Sequence, residues 1–245
     1  MIRILMVQVR AEGDPMIAHE QACIRRRLGH RKYTFESFNA LVDPASLEMM
    51  NDVDLLLIGG SGDYSVHHPL SARWVEPIRP LIQRALDKDI VGLGICFGHQ
   101  LLGHHLGSPV VTDPEQSELG TTTVRLTESG RTSALFGHMA DEFRVHTGHT
   151  DRVSRLPPGV TILAENERCK HQAFHVSGTQ FYSVQFHPDM TGSEARDRVS
   201  AYREGFSSRL DDDGPDYASG FEVGADESSS LIGAMADLAQ VLRSK

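Results

Sequence analysis

The first half of the chain alternates short apolar runs with longer segments whose apolar residues recur at helical spacing. The apolar runs have the length of buried strands, and they cover residues 2–9, 33–38, 53–58 and 90–93. The segments between them predict helices over 14–28, 74–86 and 97–106. Strands and helices in this alternation predict an open, mostly parallel α/β sheet with helices on both faces.

The second half has a different pattern, with several short strands and few helices between them. The predicted strands are 121–126, 143–146, 160–164, 172–176 and 181–186. They predict an antiparallel portion added to the same sheet. A polar helix is expected over 193–209, a mobile acidic loop over 211–227 and an amphipathic helix over 231–242. No linker marks a second domain, so we expect 191–245 to be an extension packed on a domain of residues 1–190.

Composition excludes several classes of protein. The 245 residues include 24 Lys and Arg against 33 Asp and Glu, a net charge of −9, which argues against a nucleic-acid partner. No apolar run approaches the ~20 residues of a membrane span, and we expect no signal peptide. Three cysteines form no disulfide framework and favour a reducing compartment. We therefore expect a cytoplasmic protein that binds neither nucleic acid nor membrane.

The sharpest local pattern is a cysteine between two glycines, at the point where a predicted strand turns into a predicted helix. Gly94, Cys96 and Gly98 form this G-x-C-x-G pattern. Small flanking residues let the backbones approach in such a turn, and the side chain then projects at a helix N-terminus, which favours a thiolate. We predict that Cys96 is a nucleophile, whereas Cys23 and Cys169 lack glycine flanks and are interpreted as structural cysteines.

A cysteine nucleophile needs a base, and His187 is the leading candidate among 13 histidines. His187 ends a predicted strand and is followed by Pro188 and Asp189, whose carboxylate can reach back to orient the imidazole. Taken alone, His-Pro-Asp is equally typical of a turn. Parallel sheets place functional groups at the carboxyl ends of strands, where both Cys96 and His187 are expected.

Acyl chemistry also needs hydrogen-bond donors for a developing oxyanion. The amide of Phe97, directly after the nucleophile, is one expected donor. The glycine-rich turn 59–62 ends a neighbouring predicted strand and can supply a second. The same turn could bind phosphate, but no Lys-Ser or Lys-Thr pair follows it.

These motifs together resemble the class I glutamine amidotransferases of the triad type. The resemblance spans about the first 190 residues and is carried by GGSG (59–62), GLGICFGHQLLG (92–103), ELG (118–120), HTDRVSRLPPG (149–159) and VQFHPD (184–189). It implies a flavodoxin-like fold and cleavage of the γ-carboxamide of glutamine through a thioester. GICFGHQ and VQFHP are highly specific as a pair, and the other three stretches support them. The stretch HTDRVSRLP is similar to the glutaminase part of GMP synthases and to cytosolic γ-glutamyl peptidases.

The resemblance also implies a role for individual residues. Cys96 matches the nucleophile, His187 the base, and Gly60 and Phe97 the oxyanion donors. The residues implied to hold the glutamine are Gln100, Glu118, His149, Thr150 and Asp151. One departure is that the family usually has His-Pro-Glu where this chain has His-Pro-Asp, so a shorter Asp189 must act as the third triad member.

Several functions remain open at this point. The chain can be a glutaminase with a synthetase subunit as partner, or a hydrolase of γ-glutamyl amines and peptides without one. It can also be a non-catalytic binding protein on the same scaffold. A metal site is not expected, because the histidines lack metal-ligand spacing; the candidates considered are His99, His104, His105, His138, His146 and His149. No cofactor is expected.

Overall fold

A nine-stranded sheet runs through the described part of the chain, residues 1–202 and 216–244, in the computed structural model. Its strands are β1 (Ile2–Gln8), β2 (Tyr33–Asn39), β3 (Leu55–Ile58), β4 (Val91–Ile95), β6 (Glu118–Leu126), β7 (Glu142–His149), β9 (Val160–Glu165), β10 (Ala173–Val176) and β11 (Phe181–Val184). A separate two-stranded sheet pairs β5 (Val110–Thr112) with β8 (Asp151–Val153). The helices are α1 (Met16–Leu28), α2 (Ala72–Asp87), α3 (Phe97–His105), α4 (Glu128–Arg131), α5 (Gly192–Ala201) and α6 (Ser230–Arg243).

The strand order divides the large sheet into a parallel and an antiparallel half. The order is β2-β1-β3-β4-β11-β10-β9-β6-β7. The first five strands pair in parallel, and the pairs from β11 onwards are antiparallel. The predicted fold class, a mostly parallel sheet with an antiparallel addition, is confirmed. The carboxyl ends of β3, β4 and β11 lie side by side in this order.

Helices cover both faces of the parallel half, which explains its continuous apolar strands. In β1, Ile4 and Met6 pack in one core with α1 and α6, while Leu5 and Val7 pack in a second core with α2 and α3. Through α6, the C-terminal extension therefore contributes to the same core as β1. None of the helices in the described ranges is long and apolar enough to cross a bilayer.

Three short elements were not predicted from the sequence. They are β5, β8 and α4, each of three or four residues. Elements of this length show no periodicity that could distinguish a strand or a helix from a loop.

The C-terminal region differs most from the prediction. The polar helix expected over 193–209 is present as α5 (Gly192–Ala201), and residues 203–209 of the prediction lie outside the described part of the chain. Residues 211–215 of the expected mobile loop also lie outside it. Residues 216–227 are mostly exposed, as expected of a loop, but the segment packs on the fold at two points: Phe221 and Ala225 are buried, and the Phe221 carbonyl accepts a hydrogen bond from Arg196 at 2.7 Å. The two buried apolar side chains supply the packing that an acidic composition did not suggest.

Candidate active site

Cys96 occupies the turn between β4 and α3, where its backbone is strained. Its φ of 51° and ψ of −98° lie in a region that residues with a side chain rarely adopt. The glycines allow the close approach: a Cβ on Gly94 would lie 2.5 Å from the carbonyl oxygen of Gly98, and one on Gly98 would lie 2.2 Å from that of Ile58. The structure therefore contains the expected strand–cysteine–helix turn, and Cys96 lines a cavity at the carboxyl edge of the sheet.

His187 approaches Cys96 from the neighbouring strand. β11 pairs with β4 in parallel, with Val184 opposite Ile95, so the residues that follow these two strands are neighbours. The His187 side chain is buried and lines the same cavity as Cys96, whose sulfur is close enough to raise the pKa of the imidazole. The structure thus brings the two predicted catalytic side chains together, although they are distant in sequence.

Asp189 is long enough to reach the imidazole despite replacing the glutamate usual in the related family. Its Oδ1 lies 2.9 Å from Nδ1 of His187, and its Oδ2 accepts a hydrogen bond from Nη2 of Arg198 at 3.1 Å. A carboxylate can only accept, so Nδ1 carries the proton and Nε2 is the nitrogen left for the sulfur of Cys96. The three side chains therefore form a Cys-His-Asp arrangement with an arginine behind it.

The charges in this cluster stabilise one another. Burial alone would lower the pKa of His187, but the Asp189 carboxylate and the Cys96 sulfur raise it to about 9. Burial likewise opposes ionisation of Asp189, yet His187 and Arg198 hold the pKa of that carboxyl well below its usual range. At neutral pH an imidazolium therefore lies beside the Asp189 carboxylate in the cavity that Cys96 lines.

The raised pKa of His187 predicts a pH-dependent stability. Imidazolium formation stabilises the folded chain fully below the unfolded value near 6.5, and this contribution is lost as the pH rises through about 9. We expect the difference in unfolding free energy between wild type and His187→Gln to shrink by a few kcal/mol over this window. Urea unfolding from pH about 6 to about 10 measures it. A difference that stays constant or grows with pH would contradict the assignment of charge.

The other two cysteines lie in surroundings that disfavour reaction. Burial raises the pKa of the Cys23 and Cys169 thiols to about 12 in each case. Neither thiol belongs to the described wall of the cavity at Cys96. Both environments agree with the interpretation of these residues as structural cysteines.

The two expected oxyanion donors differ in orientation. The Phe97 amide is at the first position of α3, where helical amides have no partner within the helix. Gly60 lies against His187, since a Cβ there would be 3.0 Å from the imidazole Cε1. Its amide, however, donates at 3.2 Å to the buried carboxylate of Glu20, which is paired with Arg10 at 3.1 Å. In this conformation the Phe97 amide is at the free N-terminus of α3, whereas the Gly60 amide is engaged by Glu20.

A cavity of about 340 Å³ opens at Cys96 and His187, within the size range of small-molecule sites. Glu118, His149 and Thr150, three of the five residues expected to hold substrate, line one part of it. A second part is lined by residues of α5 and its flanking segments, among them Met190, Arg198, Val199, Tyr202, Tyr217 and Phe221.

The buried carboxylate of Glu118 forms hydrogen bonds with three neighbouring side chains. Its carboxylate accepts hydrogen bonds from Nε2 of His149 at 3.0 Å, from Gln172 at 2.6 Å and from Asn166 at 2.7 Å. Burial raises the pKa of Glu118, but the hydrogen bonds from His149 and Asn166 outweigh burial and lower it. An ionised Glu118 with these three partners fixes the orientation of His149 in the cavity wall.

Gln100 and Asp151 lie behind the cavity rather than in its described wall. The Gln100 side chain donates to the carbonyl oxygen of Asp151 at 2.8 Å. The Asp151 carboxylate accepts from Thr112 at 2.7 Å and lines an adjacent cavity with His67. Both residues therefore shape the segment that carries His149, and their contact with substrate stays a prediction.

Four residues near the reactive pair were missed by the sequence analysis. Gln185 places its amide nitrogen 3.8 Å from the Cys96 sulfur, Glu20 and Arg10 lie behind Gly60, and Arg198 holds Asp189. A charged residue directly after the apolar strand β1 was a usable signal for Arg10. Arg198 had none, because its helix shows no pattern that distinguishes a buried arginine from a solvated one.

Two buried histidines near the site are engaged in hydrogen bonds rather than in a metal cluster. Burial lowers the pKa of His99 and His146, and their Nδ1 atoms lie 3.0 Å from the hydroxyls of Ser183 and Thr121 respectively. Within residues 1–202 and 216–244, no three His, Cys, Asp or Glu side chains are grouped so as to hold a metal ion.

Comparison with solved structures identifies related folds. A glutamine amidotransferase from Thermotoga maritima superposes with a TM-score of 0.66 at 20% identity, covering 99% of this chain and 94% of that one. A glutamine amidotransferase from Methylobacillus flagellatus gives the same score and identity, covering 98% and 90%. The open sheet with its antiparallel addition is therefore the fold of these proteins.

Sequence comparison identifies the family. Curated relatives include the glutamine-hydrolysing GMP synthases of Neisseria meningitidis, 36% identical over 105 residues, and Clostridium botulinum, 39% identical over 112 residues. These matches cover 43% and 45% of this chain but 20% and 21% of the synthases, so the chain spans about a fifth of their length. The family model for class-I glutamine amidotransferases matches residues 19–202, which is well over half of the chain. The chain therefore belongs to the class-I glutamine amidotransferase family.

Proposed function

We propose that this chain hydrolyses glutamine to glutamate and ammonia, with Cys96 as nucleophile, His187 as acid and base, and Asp189 as the residue that orients His187. The observation that carries the proposal is that a strained Cys96 lines the same cavity as a buried imidazole, whose Nδ1 is 2.9 Å from the buried carboxylate of Asp189. Family membership supports it, because the GMP synthases that the chain resembles are described as glutamine-hydrolysing.

In the first half of the reaction, the Cys96 thiolate attacks the γ-carbonyl carbon of glutamine. A C–S bond forms, and the carbonyl electron pair moves to oxygen, where the amide of Phe97 donates a hydrogen bond. When the oxyanion collapses, the C–N bond breaks, and Nε2 of the His187 imidazolium gives its proton to the leaving nitrogen. The products of this half are ammonia and a γ-glutamyl thioester on Cys96.

In the second half, the now neutral His187 removes a proton from water. The resulting hydroxide attacks the thioester carbonyl, and collapse of this second intermediate breaks the C–S bond. Glutamate leaves, and the thiolate and imidazolium are restored. Asp189 keeps its negative charge throughout and holds Nδ1–H of His187 in place.

The glutamyl part of the substrate fits the wall formed by His149 and Thr150. This wall is next to the nucleophile, because the Cys96 thiol lies 3.9 Å from the carbonyl oxygen of Gly148. Glu118 fixes His149 from behind, so the wall is preorganised before glutamine binds.

A separate synthetase subunit would be the partner that uses the ammonia, as the likeness to part of the GMP synthases suggests. A second candidate function is hydrolysis of γ-glutamyl amines or peptides without such a partner. It is favoured by the second part of the cavity, where Met190, Val199 and Phe221 offer an apolar surface that ammonia would not need. The three free cysteines favour a reducing compartment, and we place either reaction in the cytoplasm.

The test is a hydrolysis assay of the full chain with glutamine and with γ-glutamyl dipeptides of apolar and of charged amino acids. Equal yields of glutamate and ammonia from glutamine are expected if the chain is a glutaminase. A kcat/KM higher for the apolar γ-glutamyl dipeptides than for glutamine would favour the second candidate. No turnover of any compound, together with tight binding of glutamine, would leave the non-catalytic binding protein as the better account.

A further inference from the structure

Arg198 is buried directly behind the carboxylate that orients His187. Its side chain is 6% exposed and that of Asp189 is 1% exposed. Nη2 of Arg198 donates to Oδ2 of Asp189 at 3.1 Å, while Oδ1 of the same carboxylate bonds to the imidazole. Each carboxylate oxygen of Asp189 is therefore bound by a different partner, Oδ1 by His187 and Oδ2 by Arg198.

Within residues 1–202 and 216–244, the contact with Asp189 is the one hydrogen bond that the guanidinium of Arg198 makes. Nε and Nη1 of Arg198 are buried and have no hydrogen-bond partner in that part of the chain. Leaving two guanidinium nitrogens unsatisfied costs folding free energy. Such a cost points to a role for the Arg198–Asp189 pair other than stabilising the fold.

The position of Arg198 is fixed by the start of α5. Thr191 and Glu194 form a capping box, and Arg27 of α1 donates to Glu194 at 3.1 Å. Gly192 packs so closely that a Cβ there would lie 2.1 Å from the carbonyl oxygen of Glu222. A helix anchored in this way places Arg198 reproducibly over the Asp189 carboxylate.

The pair also accounts for the shortened motif. Aspartate has one methylene fewer than the glutamate usual in the related family, so its carboxylate has less reach toward His187. An arginine that binds the second oxygen holds the carboxylate in the orientation in which Oδ1 meets Nδ1. Without it, the buried carboxylate would be free to turn toward other donors.

We propose that Arg198 is a positioning residue that enables Asp189 to act as the third member of the triad. The inference rests on the proposed function, in which His187 must present Nε2 to the sulfur and to the leaving group. Arg198 acts through Asp189, the residue to which its guanidinium donates.

One arm of the test needs no substrate. The hydrogen-bonded Nδ1–H proton of His187 is followed by NMR of the ¹⁵N-histidine-labelled chain, in wild type, Arg198→Met and Arg198→Lys. We expect a downfield, exchange-protected proton in wild type and in Arg198→Lys, and its loss in Arg198→Met. The proposal is overturned if the proton keeps its shift and protection in Arg198→Met. This arm decides the matter even if the chain hydrolyses no γ-glutamyl compound.

The second arm measures turnover of the best substrate from the hydrolysis assay. We expect Arg198→Met to lower kcat by about 10- to 100-fold with KM changed by less than about 3-fold, and Arg198→Lys to lose less. The matched control is Arg27→Met, which removes an equally buried arginine of α1 that binds Glu194 of α5 and leaves the Arg198–Asp189 pair intact. An equal loss in the control would show that Arg198 matters only for the stability of α5.

A double variant protects the test against misfolding of Arg198→Met. Asp189→Glu and Arg198→Ala should each lower kcat, the first because the longer side chain is pressed against the guanidinium. The combined Asp189→Glu, Arg198→Ala chain should exceed both single variants, because glutamate then occupies the vacated space and reaches His187 unaided. Losses that simply multiply in the double variant would overturn the proposal.

Discussion

Replacing Cys96 by alanine should reduce glutamine hydrolysis by roughly 10⁴-fold or more, with almost no change in thermal stability. Every covalent step in the proposed reaction passes through the Cys96 sulfur, and the cavity wall offers no second thiol among its described residues. Binding should survive, because the wall at His149 and Thr150 is untouched. Assays of released glutamate and ammonia, beside calorimetric titration with glutamine, measure the two effects separately.

The controls for this result are Cys23→Ala and Cys169→Ala. Both thiols are buried, and burial raises their pKa to about 12, so neither variant should lose more than about 2-fold in kcat once correctly folded. If Cys96→Ala retained more than about a tenth of wild-type kcat, the covalent mechanism would be contradicted. A large fall in melting temperature for Cys96→Ala would instead mean that the lost activity reflects misfolding.

The features that could be predicted from sequence are those encoded within a few residues. The turn at Cys96 is one of them, because a strand pattern, two glycines and a helix pattern stand next to one another between Val91 and His105. The contact of Cys96 with His187 followed from a rule about sheets: both residues succeed parallel strands, and such strands have their carboxyl ends at the same edge.

The features that could not be predicted depend on side chains from distant elements. The Gly60 amide looked available for an oxyanion, but Glu20 of α1 accepts its hydrogen bond. The shorter Asp189 was predicted to orient His187, but no local pattern indicated that Arg198 of α5 binds the second oxygen of its carboxylate. The contacts of Glu20 with Gly60 and of Arg198 with Asp189 each join two elements that are distant in sequence, and no local sequence pattern predicts how such elements pack.

The state of Gly60 bears directly on the proposed reaction. With the Gly60 amide bonded to Glu20, the oxyanion is served by Phe97 alone among the two expected donors. Because glycine has no Cβ, the peptide at Gly60 can rotate with little steric cost, and rotation would turn its amide toward the cavity. Arg10, which is paired with Glu20, would then keep that carboxylate neutralised beside the developing negative charge.

Replacing Gly98 by alanine should destabilise the fold by about 3 kcal/mol or more and remove activity with it. The added Cβ would lie 2.2 Å from the carbonyl oxygen of Ile58, at the end of β3. Neither side can yield easily, because the Gly98 amide donates to the carbonyl of Gly59 at 3.2 Å and so ties α3 to that strand. The displaced turn would carry Gly60 and Cys96 apart, and hydrolysis would fail even in molecules that remain folded.

The sign of this effect makes it a sharp test, because intrinsic propensity predicts the opposite. Gly98 lies in α3, and glycine to alanine in a helix ordinarily gains about 1 kcal/mol. Gly148→Ala is the control: a Cβ there would come no closer than 3.7 Å to Leu119, so its urea midpoint should stay near the wild-type value. An unchanged or higher urea midpoint for Gly98→Ala would show that β3 and α3 are not held in contact at this residue. It would contradict the explanation of the Cys96 turn by a close approach of the two backbones.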